Sequence, residues 1–287
     1  MNVGIIGNNL TSVSLAKLLV NKKVYVTLFV KSKSSTRKTN RSIGITQDNL
    51  EFFNKSILKI DKKFINPINE IGIYFESNIK NETLNFKKNN VKLFNIIKVE
   101  KLYSLIKSQL KNKKYYKEKK ITKKYGYDHI FKNKKYDLIV NCEKNYLVKR
   151  YFSQNHQKDY KSEAITCNLN HKKISNYKAV QIFTKFGPLA FLPLSNFETS
   201  VVFSIYKKRY NFSDKEIVEI INSYNKKYYI KKISNIERAN LKFSSPRKYH
   251  LGRFLLFGDL LHKIHPLAGQ GFNMTLRDLK ILSNIVK

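Results

Sequence analysis

Residues 253 to 278 read RFLLFGDLLHKIHPLAGQGFNMTLRD and hold the chain's densest set of groups suited to gripping a ligand. Phe254 to Phe257 is an apolar run of strand length that ends at Gly258 and Asp259, and a helical pattern starts near Asn273. Between them, Pro266, Gly269 and Gly271 are residue types a backbone uses to turn tightly and to bring its N–H groups against a flat or anionic ligand. Asp259, at a strand end, is an acceptor for sugar-like hydroxyls. A helix N-terminus adds partial positive charge, which stabilises negative charge developing on a bound ring. By chemistry alone this is a cofactor cradle. The same residues also describe an ordinary strand, turn and helix whose glycines shape only the turn.

Such a loop needs a sheet behind it. NVGIIG (residues 2–7) reads as a short buried strand, Leu10 to Val20 as a helix with Leu15, Leu18 and Leu19 inward, and Val24 to Val30 as a second strand. This is a βαβ opening of the dinucleotide-binding kind, in which a pyrophosphate sits on the first helix N-terminus. Gly7 takes the first position of the glycine fingerprint, but Asn9 and Ser12 stand where the second and third glycines belong. Asn tolerates unusual backbone angles and Ser is small, so the expectation is weakened binding. Val30 ends the second strand where an acidic residue would hold a ribose, and valine accepts no hydrogen bond.

Further along, Arg41 precedes a helix reading DNLEFFNKSIL, and residues 70–90 read as short strands. Val99 to Leu110 is a helix facing inward through Leu102, Leu105, Ile106 and Leu110, and basic strands then lead to a buried strand, Tyr136 to Cys142. Residues 160–210 read as an antiparallel sheet broken at Gly187 and Pro188, with Leu189 to Leu194 an apolar strand. Ser213 and Glu216 form a capping box for a helix Asp214 to Tyr224, and a strand follows around Asn240 to Phe243.

The chain has 287 residues, enough for two joined lobes, and 56 Lys and Arg against 20 Asp and Glu, a formal charge of +36. That charge alone suggests nucleic acid or an anionic membrane. The cations are mostly lysines scattered among Asn, Ile, Tyr and Phe, and lysine reads base edges poorly, so specific nucleic-acid recognition is not expected. The runs Lys111 to Lys124 and Lys226 to Lys232 suit a solvated basic strand pair or a weak membrane contact. Cys142 and Cys167 are too few for a disulfide framework and read as reduced thiols in a cytoplasmic protein. No apolar stretch reaches the ~18 residues of a spanning helix, and the N-terminus does not read as a signal peptide. His262 and His265 lack further ligands for a metal, and neither a GxSxG elbow nor a Walker A motif is present.

GD, then HPLAGQGFN, then LRD resembles the second flavin-binding motif of the ubiquinone-biosynthesis hydroxylases, FAD-dependent aromatic-ring monooxygenases of the p-hydroxybenzoate hydroxylase type. Phe183 to Val202 is similar to that family's substrate-domain hairpin. The resemblance implies an α/β fold: a Rossmann-like FAD-binding domain (1–70, 91–158 and 246–287) with an inserted antiparallel β-sheet substrate domain (71–90 and 159–245). It implies FAD contacts from Gly7, Asn9, Ser12, Arg41, Gly258, Asp259, Pro266, Gly269, Gln270, Gly271 and Asn273, with Asp259 on the ribityl chain and the 266–273 loop against the isoalloxazine ring. The implied activity is hydroxylation of a polyprenylated phenol through a flavin hydroperoxide, with NAD(P)H and O2 and no catalytic side-chain acid or base. Implied surroundings are a ubiquinone-biosynthesis complex and peripheral contact at an inner membrane. Glu143 and Lys144 replace the family's Asp-Gly motif, Arg150 is the candidate for the arginine after it, and the family runs on beyond the helix near Asn273. These departures frame the alternative, a non-catalytic structural or lipid-binding partner in a biosynthetic assembly.

Overall fold

Val3, Ile5 and Ile6 on the first strand and Val26 and Leu28 on the second are almost wholly buried, as strands of a parallel sheet covered on both faces must be. The computed structural model describes residues 1–31, 39–87, 92–122, 126–261 and 270–286. In chain order its elements are β1 (Asn2–Ile6), α1 (Leu10–Asn21), β2 (Tyr25–Lys31), β3 (Ser42–Thr46), α2 (Gln47–Ser56), β4 (Asn66–Ile68), β5 (Glu70–Phe75), β6 (Leu84–Lys87), β7 (Phe94–Lys98), α3 (Val99–Leu110), β8 (Tyr116–Ile121), α4 (Tyr127–Lys132), β9 (Leu138–Asn141) and α5 (Tyr146–Tyr151). The second half holds β10 (Asn155–His171), β11 (Lys178–Thr184), β12 (Gly187–Ser195), β13 (Glu198–Tyr206), α6 (Asp214–Tyr224), β14 (Ile230–Ile233), β15 (Glu237–Pro246), β16 (His250–Leu251), β17 (Phe254–Leu256) and α7 (Gln270–Ile285).

Three sheets result. The first runs β16-β17-β9-β1-β2-β8, parallel except for β16. Residues of α1, α3 and α7 share the core on one face, and Ile130 of α4 and Leu147 of α5 pack on the other. The second runs β14-β10-β13-β12-β11-β5-β6, with β15 also paired to β10. One of its faces packs on Ile217 and Ile221 of α6. Its opposite face meets the third sheet, β3-β7-β4, through Ala179, Leu192, Ile96 and Ile68. The chain therefore has a mixed α/β architecture of the Rossmann-like kind with a largely antiparallel sheet beside it, and the expectation of a wholly antiparallel sheet is corrected at β5, which runs parallel to β11.

Local signals account for several boundaries. Ser213 and Glu216 close a reciprocal capping box at the start of α6, and α3 spans the expected residues. Other expectations need correction. Among the described residues, the region between α3 and β9 holds one basic strand, β8, followed by the helix α4 rather than a second strand. Leu105 is half-buried, because Leu102, Ile106 and Leu110 already fill the α3 contact. The last helix begins at Gln270, three residues before Asn273.

Both cysteines are free and buried, and burial in apolar surroundings disfavours the thiolate. The Cys167 thiol is pushed up to about 12, and Cys142 is raised by burial and by the nearby Glu143 and Asp259 carboxylates. Neither thiol is therefore expected to react with an aromatic disulfide reagent at pH 8 in the folded protein, and both should react in denaturant. Rapid native labelling of either would contradict this packing.

Candidate cofactor and substrate site

The ends of β1, β9 and β17 lie side by side, with Asn141 opposite both Ile6 and Leu256. Ligands of open α/β sheets bind in the crevice beyond such carboxyl ends. Gly7 leaves β1 at φ +138° and donates its N–H to Phe29 O at 3.0 Å, turning the chain into α1. Gly258 leaves β17 at φ +65°, and a Cβ there would lie 2.6 Å from Thr11 Cγ2 in the first turn of α1. Only glycine lets the β17 end approach the α1 N-terminus this closely. Asp259 follows, exposed, on the same rim. The two ends of the described sequence thus converge, with Gly258 against Thr11 and Gly7 beside Ser12.

Asn9 and Ser12 behave differently from damaged glycine positions. Asn9 Oδ1 accepts from Ser12 N at 2.9 Å, Ser12 Oγ accepts from Asn9 N at 3.0 Å, and Asn9 Nδ2 donates to Cys142 O at 2.6 Å. The pair is a capping box that satisfies two backbone donors and ties α1 to the end of β9. Among the described residues, the amides of Leu10 and Thr11 have no hydrogen-bond acceptor. Tyr103 OH of α3 donates to Asn8 Oδ1, which holds the intervening loop.

At the β2 side, Val30 is buried and offers no acceptor. The neighbouring Lys31 instead reaches Glu143 Oε1 at 3.3 Å, and Tyr127 OH donates to the same oxygen at 3.0 Å. Glu143, after β9, thus joins β2 and α4 across the end of β1.

α7 is fastened by Asn273. Its Oδ1 accepts from Thr46 N at 3.0 Å and Asn49 Nδ2 at 2.9 Å, and its Nδ2 donates to Gly44 O at 2.8 Å. The side chain read as part of a cofactor loop is buried and pins α7 to β3 and α2. Gln270 is exposed, and no described residue lies within 4 Å of where a Gly271 Cβ would be. Arg41, just before β3, is also exposed. Pro266, Gly269, His262 and His265 lie outside the described residues. Arg150, on α5, is exposed beside the Tyr151 ring.

Opposite α6, one row of the large sheet runs through Thr166, Val202, Ala190, Gln181 and Ile73 on five paired strands. Val180 and Ile182 pack on the α6 side, so strand alternation turns Gln181 the other way. The same face continues to the sheet edge, where Phe183 stacks on Phe75 with centroids 5.2 Å apart, Leu84 lies opposite Ile73 and Phe86 opposite Ile71. Gln181 and this apolar strip went unnoticed in the sequence, although the alternation in AVQIF carries the signal. The buried His171 is no acid or base candidate. Its Nδ1 donates to Lys172 O at 2.8 Å, so its Nε2 accepts from Thr199 Oγ1 at 3.0 Å in a closed network.

The family described as "FAD binding domain" matches residues 152–285. That match covers just under half of the chain, which is similar to FAD-binding domains there. The chain is 28% identical over 171 residues to a mitochondrial ubiquinone biosynthesis monooxygenase of Xenopus tropicalis, covering 46% of this chain and 37% of that one. It is 40% identical over 47 residues to the namesake from Dictyostelium discoideum, covering 16% and 10%. The alignments thus span about a third or less of those relatives' own lengths. Two solved structures share the fold of this chain. PqsL of Pseudomonas aeruginosa has a TM-score of 0.74 at 14% identity over 99% of this chain and 85% of its own. The p-nitrophenol 4-monooxygenase PnpA of Pseudomonas putida has 0.74 at 11% over 98% and 78%.

The residues of the crevice fit an FAD at one end and depart from it at the other. The glycine contact between Gly258 and Thr11, the exposed Asp259 and the unclaimed Leu10 and Thr11 amides suit a pyrophosphate and a polyol chain. The adenosine side, with Val30 and the Lys31–Glu143 pair, replaces the usual ribose acceptor with an ion pair. Among the described residues no group of three or more His, Cys, Asp or Glu could hold a metal.

Proposed function

We propose that this chain is an FAD-dependent monooxygenase that hydroxylates the aromatic ring of a polyprenylated phenol in ubiquinone biosynthesis, with NAD(P)H as reductant and O2 as oxidant. The observation that carries the reading is the contact of Gly258 with Thr11, which sets Asp259 on the rim of the α1 N-terminus. Bound FAD supplies oxygen activation. The chain's own residues do the rest. The Leu10 and Thr11 amides hold the pyrophosphate, Asp259 accepts from ribityl hydroxyls, and the N-terminal end of α7 places positive potential near the ring. The inner face of the large sheet keeps water from the reacting ring. The ubiquinone-biosynthesis relatives support the substrate class, and their partial coverage leaves it a proposal.

The same proposal includes peripheral contact with an anionic membrane, through exposed lysines of β8 such as Lys117 and Lys119, and a place in a biosynthetic complex. Among the described residues no helix is long and apolar enough to cross a membrane.

The visible absorption spectrum after incubation with FAD and desalting tests the reading. A retained flavin spectrum supports it, and a protein that stays colourless in excess FAD overturns it in favour of a non-catalytic partner. Asp259→Ala removes an exposed carboxylate, so the far-UV spectrum should be unchanged while FAD affinity falls about 10- to 100-fold. Unchanged affinity would remove Asp259 from the cofactor site.

A further inference from the structure

We propose that Gln181 is the substrate-orienting residue of this site: its carboxamide accepts a hydrogen bond from a ring hydroxyl. The apolar part of the substrate then lies along Ile73 and Phe75 toward Leu84 and Phe86 at the sheet edge. The inference rests on the reading of the chain as an aromatic hydroxylase and specifies how that site recognises its substrate.

Gln181 sits mid-sheet, half-buried, and its side chain makes no hydrogen bond to any described residue. Its cross-strand neighbours on this face are Ala190 and Ile73, and Phe183 follows on the same strand face, so the sheet offers the amide no polar partner. A half-buried polar group left without a partner costs stability, and a ligand hydroxyl offsets that cost. Elsewhere in this structure such amides are used. Asn9, Asn66, Asn176 and Asn273 each make two or more hydrogen bonds.

The chemistry of the face narrows the ligand. The chain carries 56 Lys and Arg, yet none stands in the row from Thr166 to Ile73 or on the strip leading to the edge. A carboxylate-bearing ring would find no counter-charge there, whereas a neutral phenol needs only an acceptor. Beyond Gln181 the face is carbon-only, and Phe75, Leu84 and Phe86 are 44%, 52% and 50% exposed. Exposed apolar side chains contiguous with an unpaired amide match a ligand with one polar end and a hydrocarbon chain.

Ligand-observed NMR titrations with 4-pentylphenol, 4-ethylphenol and pentylbenzene, run in the presence of FAD, test this. Wild-type protein should prefer 4-pentylphenol to pentylbenzene about tenfold, the value of one hydrogen bond in a partly dry site. Gln181→Leu should erase that preference while keeping pentylbenzene affinity. Gln181→Met, unbranched and of similar length, should do the same if the leucine variant folds poorly. Leu84→Ser combined with Phe86→Ser should remove most of the gain in affinity from ethyl to pentyl, expected at roughly threefold per methylene in wild type. Persistence of the hydroxyl preference in both Gln181 variants, or failure of the wild type to bind any of the three, overturns the proposal. Flavin retention, read separately, reports on the hydroxylase reading itself. FAD binding with an unaltered Gln181→Leu preference sinks only Gln181, whereas no FAD binding sinks the underlying reading.

Discussion

Gly187→Ala is expected to cost roughly 2–5 kcal/mol and to disorder the β11–β12 hairpin. Gly187 has φ +136°, and a Cβ built on it would lie 2.0 Å from Ser204 O. That neighbour is backbone in the next strand and cannot rotate away as a flexible side chain would. The hairpin turn is further tied by Thr184 Oγ1, which donates to Gly187 O at 2.7 Å and accepts from the Phe186 and Gly187 amides at 3.2 Å. Relief of the clash must therefore push β12 from β13, and with it the row that includes Ala190. Urea unfolding compares variant and wild type. A difference below about 0.5 kcal/mol, the usual range for innocuous surface changes, would mean the turn relaxes freely.

Asn273→Leu should be comparably severe, at about 3–5 kcal/mol, because in a buried contact it takes the side-chain partner from Thr46 N and Gly44 O and leaves Asn49 Nδ2 only its longer 3.4 Å bond to the residue 273 carbonyl. Asn273→Asp makes the useful comparison. Its carboxylate keeps the two donors supplied but turns an oxygen toward Gly44 O, so it should fall between leucine and wild type. Flavin retention should drop with both, since α7 would no longer be fixed against β3 and α2. Equal stability of all three proteins would show that the contact contributes nothing net.

These two residues also show what could be read from the chain alone. Gly187 and Pro188 announce a break in a strand pattern, and the break is a hairpin whose glycine is demanded by a carbonyl 17 positions along. Asn273 was legible as the beginning of something helical. Its partners are more than 220 residues away in sequence, and no local pattern points to them. Local signals worked where local physics decides: the α6 capping box, the α3 periodicity, the apolar β17 followed by the turn at Gly258. They failed in the lysine-rich stretch before β9, where α4 owes its place to Ile130 packing beneath the sheet. The converging glycines of the crevice were readable as types, whereas the pressing of Gly258 on Thr11 required the fold.

The reciprocal Asn9–Ser12 bonds have a consequence for the protein's life without its cofactor. A helix start that leaves its amides bare depends on an incoming phosphate to stop it fraying, so folding and cofactor supply become linked. Here part of that duty is carried by two side chains of the chain itself, and a third bond, from Asn9 to Cys142 O, locks the turn to the neighbouring strand. The empty protein is therefore born with its nucleotide-facing end already tied. It can wait for flavin in a folded state, and the stabilisation that flavin then adds is set by its affinity for that state.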